Sequence, residues 1–170
     1  MTSSEVMIDA FERIRDAVHP AVNGLSIEEL SFRPDGQSNS ISWLVWHLTR
    51  IQDDHVAGLH GEEQTWTAGG WSERFGLPLD PSDTGYGHGP DEVAKVTVDA
   101  GLLLDYFEAV HERTLAYVRT LSDADFEQVI DASWNPPVTI GIRLVSVIAD
   151  DLQHVGQAAY VRGVVQRRGS

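Results

Sequence analysis

The sequence predicts an all-α protein, a bundle of four long helices in which a long loop joins the second helix to the third. Three observations predict this fold. Apolar residues recur every three or four positions in four long segments, capping and helix-breaking residues separate those segments, and no segment shows a convincing strand pattern. The chain has 170 residues, the usual size of one domain, and we expect residues 1–170 to form a single domain.

The first half of the chain contains two long helices separated by a short turn. An apolar stripe predicts helix one over residues 3–24. Ser26 and Glu29 have the spacing of a capping box, in which each side chain bonds a free amide of the other residue, and this predicts a short helical turn. An N-cap at residues 39–40 then predicts helix two over residues 41–59.

The second half begins with the long loop. Residues 61–90 contain seven glycines and three prolines together with several aromatic residues, so we expect no regular structure there. Residues 91–120 show the next apolar stripe and an acidic start, which predicts helix three, with a kink at Gly101. Helix four is predicted over residues 139–165.

Charge and composition exclude several classes of function. The chain carries 26 acidic against 12 basic residues and a formal net charge of −14, so it repels phosphate backbones and anionic lipid surfaces. We expect no nucleic-acid partner. No apolar run is long enough to span a membrane and the N-terminus does not resemble a signal peptide, so a cytoplasmic protein is expected. The absence of cysteine excludes disulfides, thiolate metal ligands and a cysteine nucleophile.

Metal-ligand spacing occurs on helix four. Asp150 and His154 are four residues apart, which places them on one helix face, one turn apart. His47 on helix two has apolar neighbours at helical spacing and is predicted to point into the bundle, where it is the candidate third ligand. The alternatives are a hydrogen-bonded core histidine and a solvated or ion-paired carboxylate. Asp151 is predicted to lie behind the ligands and orient an imidazole.

Two neighbours of His47 could contribute to a site. Trp43 lies one turn before it and is either a core residue or a wall of the site. Arg50 lies three residues after it and could bind a substrate carboxylate, although an exposed ion pair with Asp53 or Asp54 is the preferred interpretation. The other five histidines have no partner at chelating spacing and are interpreted as surface or core residues.

The chain resembles the DinB/YfiT-like superfamily in two stretches: residues 39–48, NSISWLVWHL, and residues 150–163, DDLQHVGQAAYVRG. The resemblance covers essentially the whole chain in helix order. Members are four-helix bundles in which one histidine of the second helix and two ligands of the fourth hold a metal, and this implies His47, Asp150 and His154 as ligands. The commonest pattern has histidine at both positions of the fourth helix. The mycothiol-dependent maleylpyruvate isomerase branch is similar to this chain in having a carboxylate at the first.

The resemblance also implies a reaction. Several relatives transfer or isomerise substrates with a small thiol, which is mycothiol in actinobacteria and bacillithiol or glutathione elsewhere. We therefore expect a metal-dependent S-transferase of the mycothiol type, with zinc as the first expectation for the metal and nickel, manganese or iron as alternatives. Relatives are often dimers, so a homodimer is expected.

Other interpretations stay open at this stage. A metal-bound water in place of the thiol would give a hydrolase, and a metal that only holds a ligand would give a non-catalytic binding or stress-response protein. Under the transferase hypothesis, the loop residues Trp71, Phe75 and Tyr86 wall the substrate pocket. Alternatively, they staple the loop to the core.

Overall fold

Four long helices form the body of the protein, as predicted. The computed structural model describes residues 1–168. In chain order the helices are α1 (Ser3–Val22), α2 (Ile27–Leu30), α3 (Ile41–His60), α4 (Thr65–Ala68), α5 (Trp71–Phe75), α6 (Pro90–Val93), α7 (Ala100–Thr120) and α8 (Ile140–Arg168). A 3-10 helix (Asp125–Glu127) and the strands β1 (Val129–Asp131) and β2 (Val138–Thr139) lie between α7 and α8.

Short-range capping sets where the helices begin. Ser26 and Glu29 form the predicted capping box at the start of α2, since each side chain accepts the backbone amide of the other. The side chain of Ser40 accepts the backbone amide of Trp43 and so caps α3, which begins at the buried residue Ile41. Because these caps use neighbours three residues apart, the sequence alone located the first and limited the second to Asn39 or Ser40.

The core lies where each of α1 and α3 packs against both α7 and α8. It is built from large apolar side chains that are almost fully buried, including Phe11, Ile14, Leu44, Trp46, Leu103, Phe107 and Leu144. Helices α3 and α8 run antiparallel, because His47 lies level with His154 whereas His55, two turns later, lies level with Arg143. A cleft between these two helices is open to solvent along part of its length.

Helix three begins later than predicted. The sequence analysis expected one helix over residues 91–120, but α6 ends at Val93 and α7 begins at Ala100. Asp99 caps α7 by accepting the amide of Leu102 at 2.9 Å. The intervening segment has the β-branched residues 96–98, two of which are buried, and such side chains disfavour a helix.

Two further expectations are wrong. Residues 61–90 contain the one-turn helices α4 and α5, where no regular structure was expected. Residues 129–139 contain an antiparallel pair, β1 with β2, where no strand was expected. Helix α4 begins where Asp53 of α3 accepts the amides of Thr65 and Trp66, a contact that periodicity does not report. The strands β1 and β2 have three and two residues, too few to show an alternating pattern. Within the described residues, no helix combines the length and apolarity needed to cross a membrane.

Candidate metal centre

Three side chains with metal-binding atoms meet in the cleft between α3 and α8. His47 lies on α3, and Asp150 and His154 lie one helical turn apart on α8. One ligand atom from each residue lies within 4.8 Å of the other two. The Nε2 nitrogen of His154 is 3.4 Å from Oδ1 of Asp150. The fold thus brings together the three residues that the sequence predicts as ligands.

Both imidazoles are oriented through their Nδ1 nitrogens. Nδ1 of His47 donates to the backbone carbonyl of Thr84 at 2.6 Å, and Nδ1 of His154 donates to Oε1 of Gln157 at 3.3 Å. With the proton on Nδ1, the lone pair of the His47 ring is on Nε2. Metal-binding histidines are usually held in this way, by an acceptor on the nitrogen that does not bind the metal. In His154, burial acts to lower the pKa, but the contact of Nε2 with Asp150 raises it, so a bound metal ion would have to replace a proton on that nitrogen.

The charges in the cleft suit a cation. Burial lowers the pKa of His47, and the neighbouring His154 and His88 lower it further. Burial acts to raise the pKa of Asp150, but its hydrogen bond with His154 holds that pKa below the usual value. Oδ2 of Asp150 is buried and has no hydrogen-bond partner within residues 1–168. A neutral imidazole beside an ionised carboxylate with an unused oxygen fits a divalent metal ion.

Comparison with known proteins identifies the family. The family model of the DinB superfamily matches residues 10–158. The chain belongs to the DinB superfamily. A crystal structure described as the conserved protein of locus from Enterococcus faecalis has a TM-score of 0.91 and 32% sequence identity, over 97% of this chain and 98% of that chain. Comparison with curated proteins gives no match. The group of His47, Asp150 and His154 could bind a metal, in line with this superfamily.

A segment of the long connection between α3 and α7, which we call the 83–88 strap, lies on this candidate metal centre. Trp43 stacks on His47, with ring centroids 4.6 Å apart, and its Nε1 donates to Nδ1 of His88 at 3.0 Å. Nε2 of His88 then donates to Oδ1 of Asp83 at 2.9 Å. Trp43 therefore both walls the site and links the strap to α3. His88, which was interpreted as a surface or core histidine, has a side chain that is 5% exposed and belongs to this network.

Close approach of the strap requires a glycine. Gly85 has φ +89°, and a Cβ there would lie 2.6 Å from Nδ1 of His47. The sequence analysis missed the carbonyl of Thr84, because a backbone acceptor in a loop has no sequence signal. Gln157 did have a sequence signal, because it lies three residues after His154 and therefore beside it on the same helix face.

Arg50 is buried. It forms the expected ion pair with Asp53, with Nη1 3.9 Å from Oδ2, but both side chains are buried rather than exposed. Because the guanidinium group has no contact with solvent, the expected contact with a substrate carboxylate is not supported. Nε donates to the backbone carbonyl of Asp83 at 3.2 Å and Nη1 to Oε1 of Gln64 at 2.6 Å. The guanidinium group also lies 4.9 Å from the ring centroid of Trp66. Arg50 thus ties the long connection to α3.

The aromatic residues predicted to wall the pocket lie elsewhere. Trp71 and Phe75 are buried against Tyr106 of α7, with ring centroids 5.6 Å and 5.7 Å away. Tyr86, at the tip of the strap, is 89% exposed. Trp71 and Phe75 therefore staple the connection to the core, which was the alternative interpretation. Within the described residues, the tryptophan that contacts the two imidazoles is Trp43.

Asp151 does not orient a ligand imidazole, as had been predicted. Its side chain is completely buried, and neither carboxylate oxygen has a hydrogen-bond partner in the part of the chain that the structure describes. Burial, and then the charge of Asp150, raises the pKa of Asp151 well above its usual value. The role predicted for Asp151 belongs to Gln157, which accepts from His154.

Proposed function

We propose that this DinB protein is a metal-dependent thiol S-transferase that joins an uncharged sugar-thiol of the mycothiol type to an electrophilic small molecule. The observation that supports the proposal is an uncharged groove with a volume of about 540 Å³, whose lining includes Gln153 and Gln157, which flank His154 on α8. Gln157 belongs to both sites, since it lines the groove and accepts from the His154 ring. A cavity of this size is typical of small-molecule binding sites.

The groove is uncharged and mostly apolar, and its few amide and hydroxyl groups could bind a neutral ligand. Its lining combines apolar surfaces with amide and hydroxyl groups and has no Asp, Glu, Lys, Arg or His; it consists of Pro34, Ser38, Asn39, Leu44, Gln153, Gly156, Gln157, Tyr160 and Val161. Amides and hydroxyls can satisfy buried sugar hydroxyls, whereas the charged ends of glutathione would lose their hydration without gaining an ionic partner. The lining therefore favours a sugar-thiol over glutathione.

The chain itself has no cysteine, so the reacting sulfur must belong to the ligand. A divalent ion held by His47, Asp150 and His154 would lower the pKa of a thiol bound beside it and favour the thiolate at neutral pH. Sulfur then forms a bond with the electrophilic carbon, the leaving group departs with the bonding electron pair, and the thiol proton passes to water. Two imidazoles and one carboxylate are standard zinc donors, so zinc is our proposal for the metal.

The protein's own residues have separate tasks in this proposal. Thr84 and Gln157 hold the two ligand imidazoles so that Nε2 faces the cleft. Trp43 lies flat against His47 and at right angles to His154, and it keeps water from that side of the rings. The groove binds the body of the thiol and so places its sulfur next to the ligands.

The test is thiol consumption with 1-chloro-2,4-dinitrobenzene, measured with zinc-loaded and metal-free protein and with mycothiol, bacillithiol, glutathione and cysteine in turn. We expect a rate that requires both metal and thiol and is highest with mycothiol. The His154→Ala variant, with its fold checked by circular dichroism, should lose this rate. A metal-dependent rate of ester hydrolysis without thiol would favour a hydrolase, and no metal-dependent rate with any thiol would contradict a transferase.

A further inference from the structure

A second cavity lies between α3, β1 and α8, further along the two helices than the candidate metal centre. Its volume is about 390 Å³, and it is lined by Asp54, His55, Gly58, Leu59, Ile130 and Arg143. The groove described above lies on the other side, because it uses Leu44 before His47 on α3 and residues 153–161 after Asp150 on α8. The metal centre therefore lies between an uncharged groove and a cavity that contains an arginine.

Arg143 has no acidic partner. Within residues 1–168 no carboxylate forms an ion pair with it, and its hydrogen bond is from Nη1 to Nδ1 of His55 at 3.1 Å. His55 accepts this bond and so is neutral, in agreement with a pKa that burial and the charge of Arg143 lower. A guanidinium group has five N–H donors, so most of its donors are available to a ligand.

The carboxylates near the cavity accept hydrogen bonds from residues other than Arg143. Oδ1 of Asp54 accepts from Nε2 of Gln64 at 2.6 Å, and Asp131 accepts from the amide and hydroxyl of Ser133 at 2.9 Å and 2.6 Å. The hydrogen bonds from Ser133 are the main cause of the lowered pKa of Asp131, and the charge of Arg143 is a smaller cause. The cavity thus holds one guanidinium group and one carboxylate, that of Asp54, and within residues 1–168 Arg143 forms no ion pair with a carboxylate.

We infer that this second cavity binds the carboxylate of an acidic electrophile and that Arg143 determines this specificity. The inference rests on the proposed transferase function, because it assigns the groove to the thiol and the second cavity to the other substrate. Arginine matches a carboxylate with two parallel hydrogen bonds. Leu59 and Ile130 would contact the short carbon chain of the substrate.

The helix geometry limits the size of that substrate. Arg143 lies seven residues before Asp150, about 10 Å along α8, and His55 lies eight residues after His47, about 12 Å along α3. Asp150 and His55 are close enough for each to influence the pKa of the other. We therefore expect a small molecule whose carboxylate lies within about two helical turns of the carbon that reacts.

The test compares hexanoate with hexanamide, which have the same carbon chain and differ in charge. Binding is measured by NMR titration of metal-free and zinc-loaded wild type, of Arg143→Gln, and of Arg162→Gln as a matched control. Arg162 lies on the same helix and is also partly buried, but it donates to the backbone carbonyl of Asn23, away from the cleft. We expect hexanoate to bind about tenfold more tightly than hexanamide, with or without zinc.

Arg143→Gln should abolish this preference, and Arg162→Gln should keep it. Equal binding of the two probes, or a preference that survives in Arg143→Gln, would overturn the inference. A preference seen only with zinc and unchanged in Arg143→Gln would also overturn it, since the carboxylate would then bind the metal. Because no thiol is present, a failed transferase assay with retained Arg143-dependent binding would reject the proposed reaction alone.

Discussion

The Nδ1 nitrogen of His47 on α3 lies 2.6 Å from the backbone carbonyl oxygen of Thr84 in the 83–88 strap. This hydrogen bond fixes the ring and its tautomer, and it depends on the absence of a side chain at Gly85, where a Cβ would lie 2.6 Å from the same nitrogen. We predict that Gly85→Ala weakens metal affinity by about 10- to 100-fold, the usual effect of losing such a partner.

Gly87→Ala is the matched control for this prediction. Gly87 has φ +78° and Gly85 φ +89°, so both substitutions strain the backbone, but nothing lies within 4 Å of a Cβ at Gly87. Competition with a chromophoric chelator gives the metal affinity, and thermal unfolding reports the shared strain. An equal loss of metal affinity in the two variants would show that strain in the strap, rather than the contact with His47, controls the site.

A second prediction separates the two glutamines that line the groove. Gln157→Leu should lower metal affinity and raise the KM for the thiol, because Gln157 accepts from His154 and also lines the groove. Gln153→Leu should raise only the KM, because Gln153 lines the groove but donates to the carbonyl of Ala149 in its own helix. A metal affinity that falls equally in both variants would argue against an orienting role for Gln157.

A third prediction concerns the anchor of the long connection. Oδ1 of Asp53 accepts the amide of Thr65 at 2.8 Å, and Oδ2 accepts the amide of Trp66 at 2.7 Å and the hydroxyl of Tyr106 at 2.9 Å. Asp53→Ala removes these three bonds from a buried site, and we expect it to lower the free energy of unfolding by about 3 kcal/mol.

Urea denaturation of the Asp53 variant is compared with that of Asp54→Ala. Asp54 is half-buried and accepts one bond, from Gln64, so its loss should cost under about 1 kcal/mol. If the two variants were equally stable, Asp53 would not be the anchor.

A fourth prediction uses the buried carboxyl of Asp151. Its pKa is raised well above the usual 3.8, first by burial and then by Asp150. Because the pKa of Asp151 is higher in the folded state than in the unfolded state, the free energy of unfolding falls as the pH rises above the unfolded-state pKa. Asn does not ionise, so the variant does not lose stability in this way. The melting temperature of metal-free Asp151→Asn should therefore equal that of wild type near pH 4 and exceed it by at least about 2 °C at pH 7.

Thermal unfolding followed by circular dichroism across this pH range tests the prediction. Asp16→Asn, on the exposed face of α1, should show no such pH-dependent gain. A gain for Asp151→Asn that stays constant from pH 4 to pH 7 would contradict burial of an ionisable carboxyl as its cause.

The sequence was sufficient for features that depend on near neighbours. Helices α1, α3 and α8 follow from apolar spacing and local caps, and Asp150 with His154 follows from the helical repeat. That His47 lies opposite them required the helix order of the superfamily as well as its apolar neighbours. The family match and the similar crystal structure confirm the predicted fold and the predicted family.

The features that were missed depend on tertiary contacts. Helix α4 begins where the distant carboxylate of Asp53 accepts two of its first amides. The strap is held by a buried Arg50, which was expected to form an exposed ion pair. Neither contact joins residues at a helical or strand spacing. The thiol, the identity of the metal, the homodimer, the single domain and the cytoplasmic location stay predictions.

The most direct test of the account is the metal content of protein purified without an affinity tag, loaded with zinc and freed of excess ion. We predict about one zinc per chain by elemental mass spectrometry, lost in His154→Ala while the helical circular dichroism spectrum is retained. Wild type without bound zinc, or a stoichiometry unchanged in His154→Ala, would contradict a metal centre built from His47, Asp150 and His154.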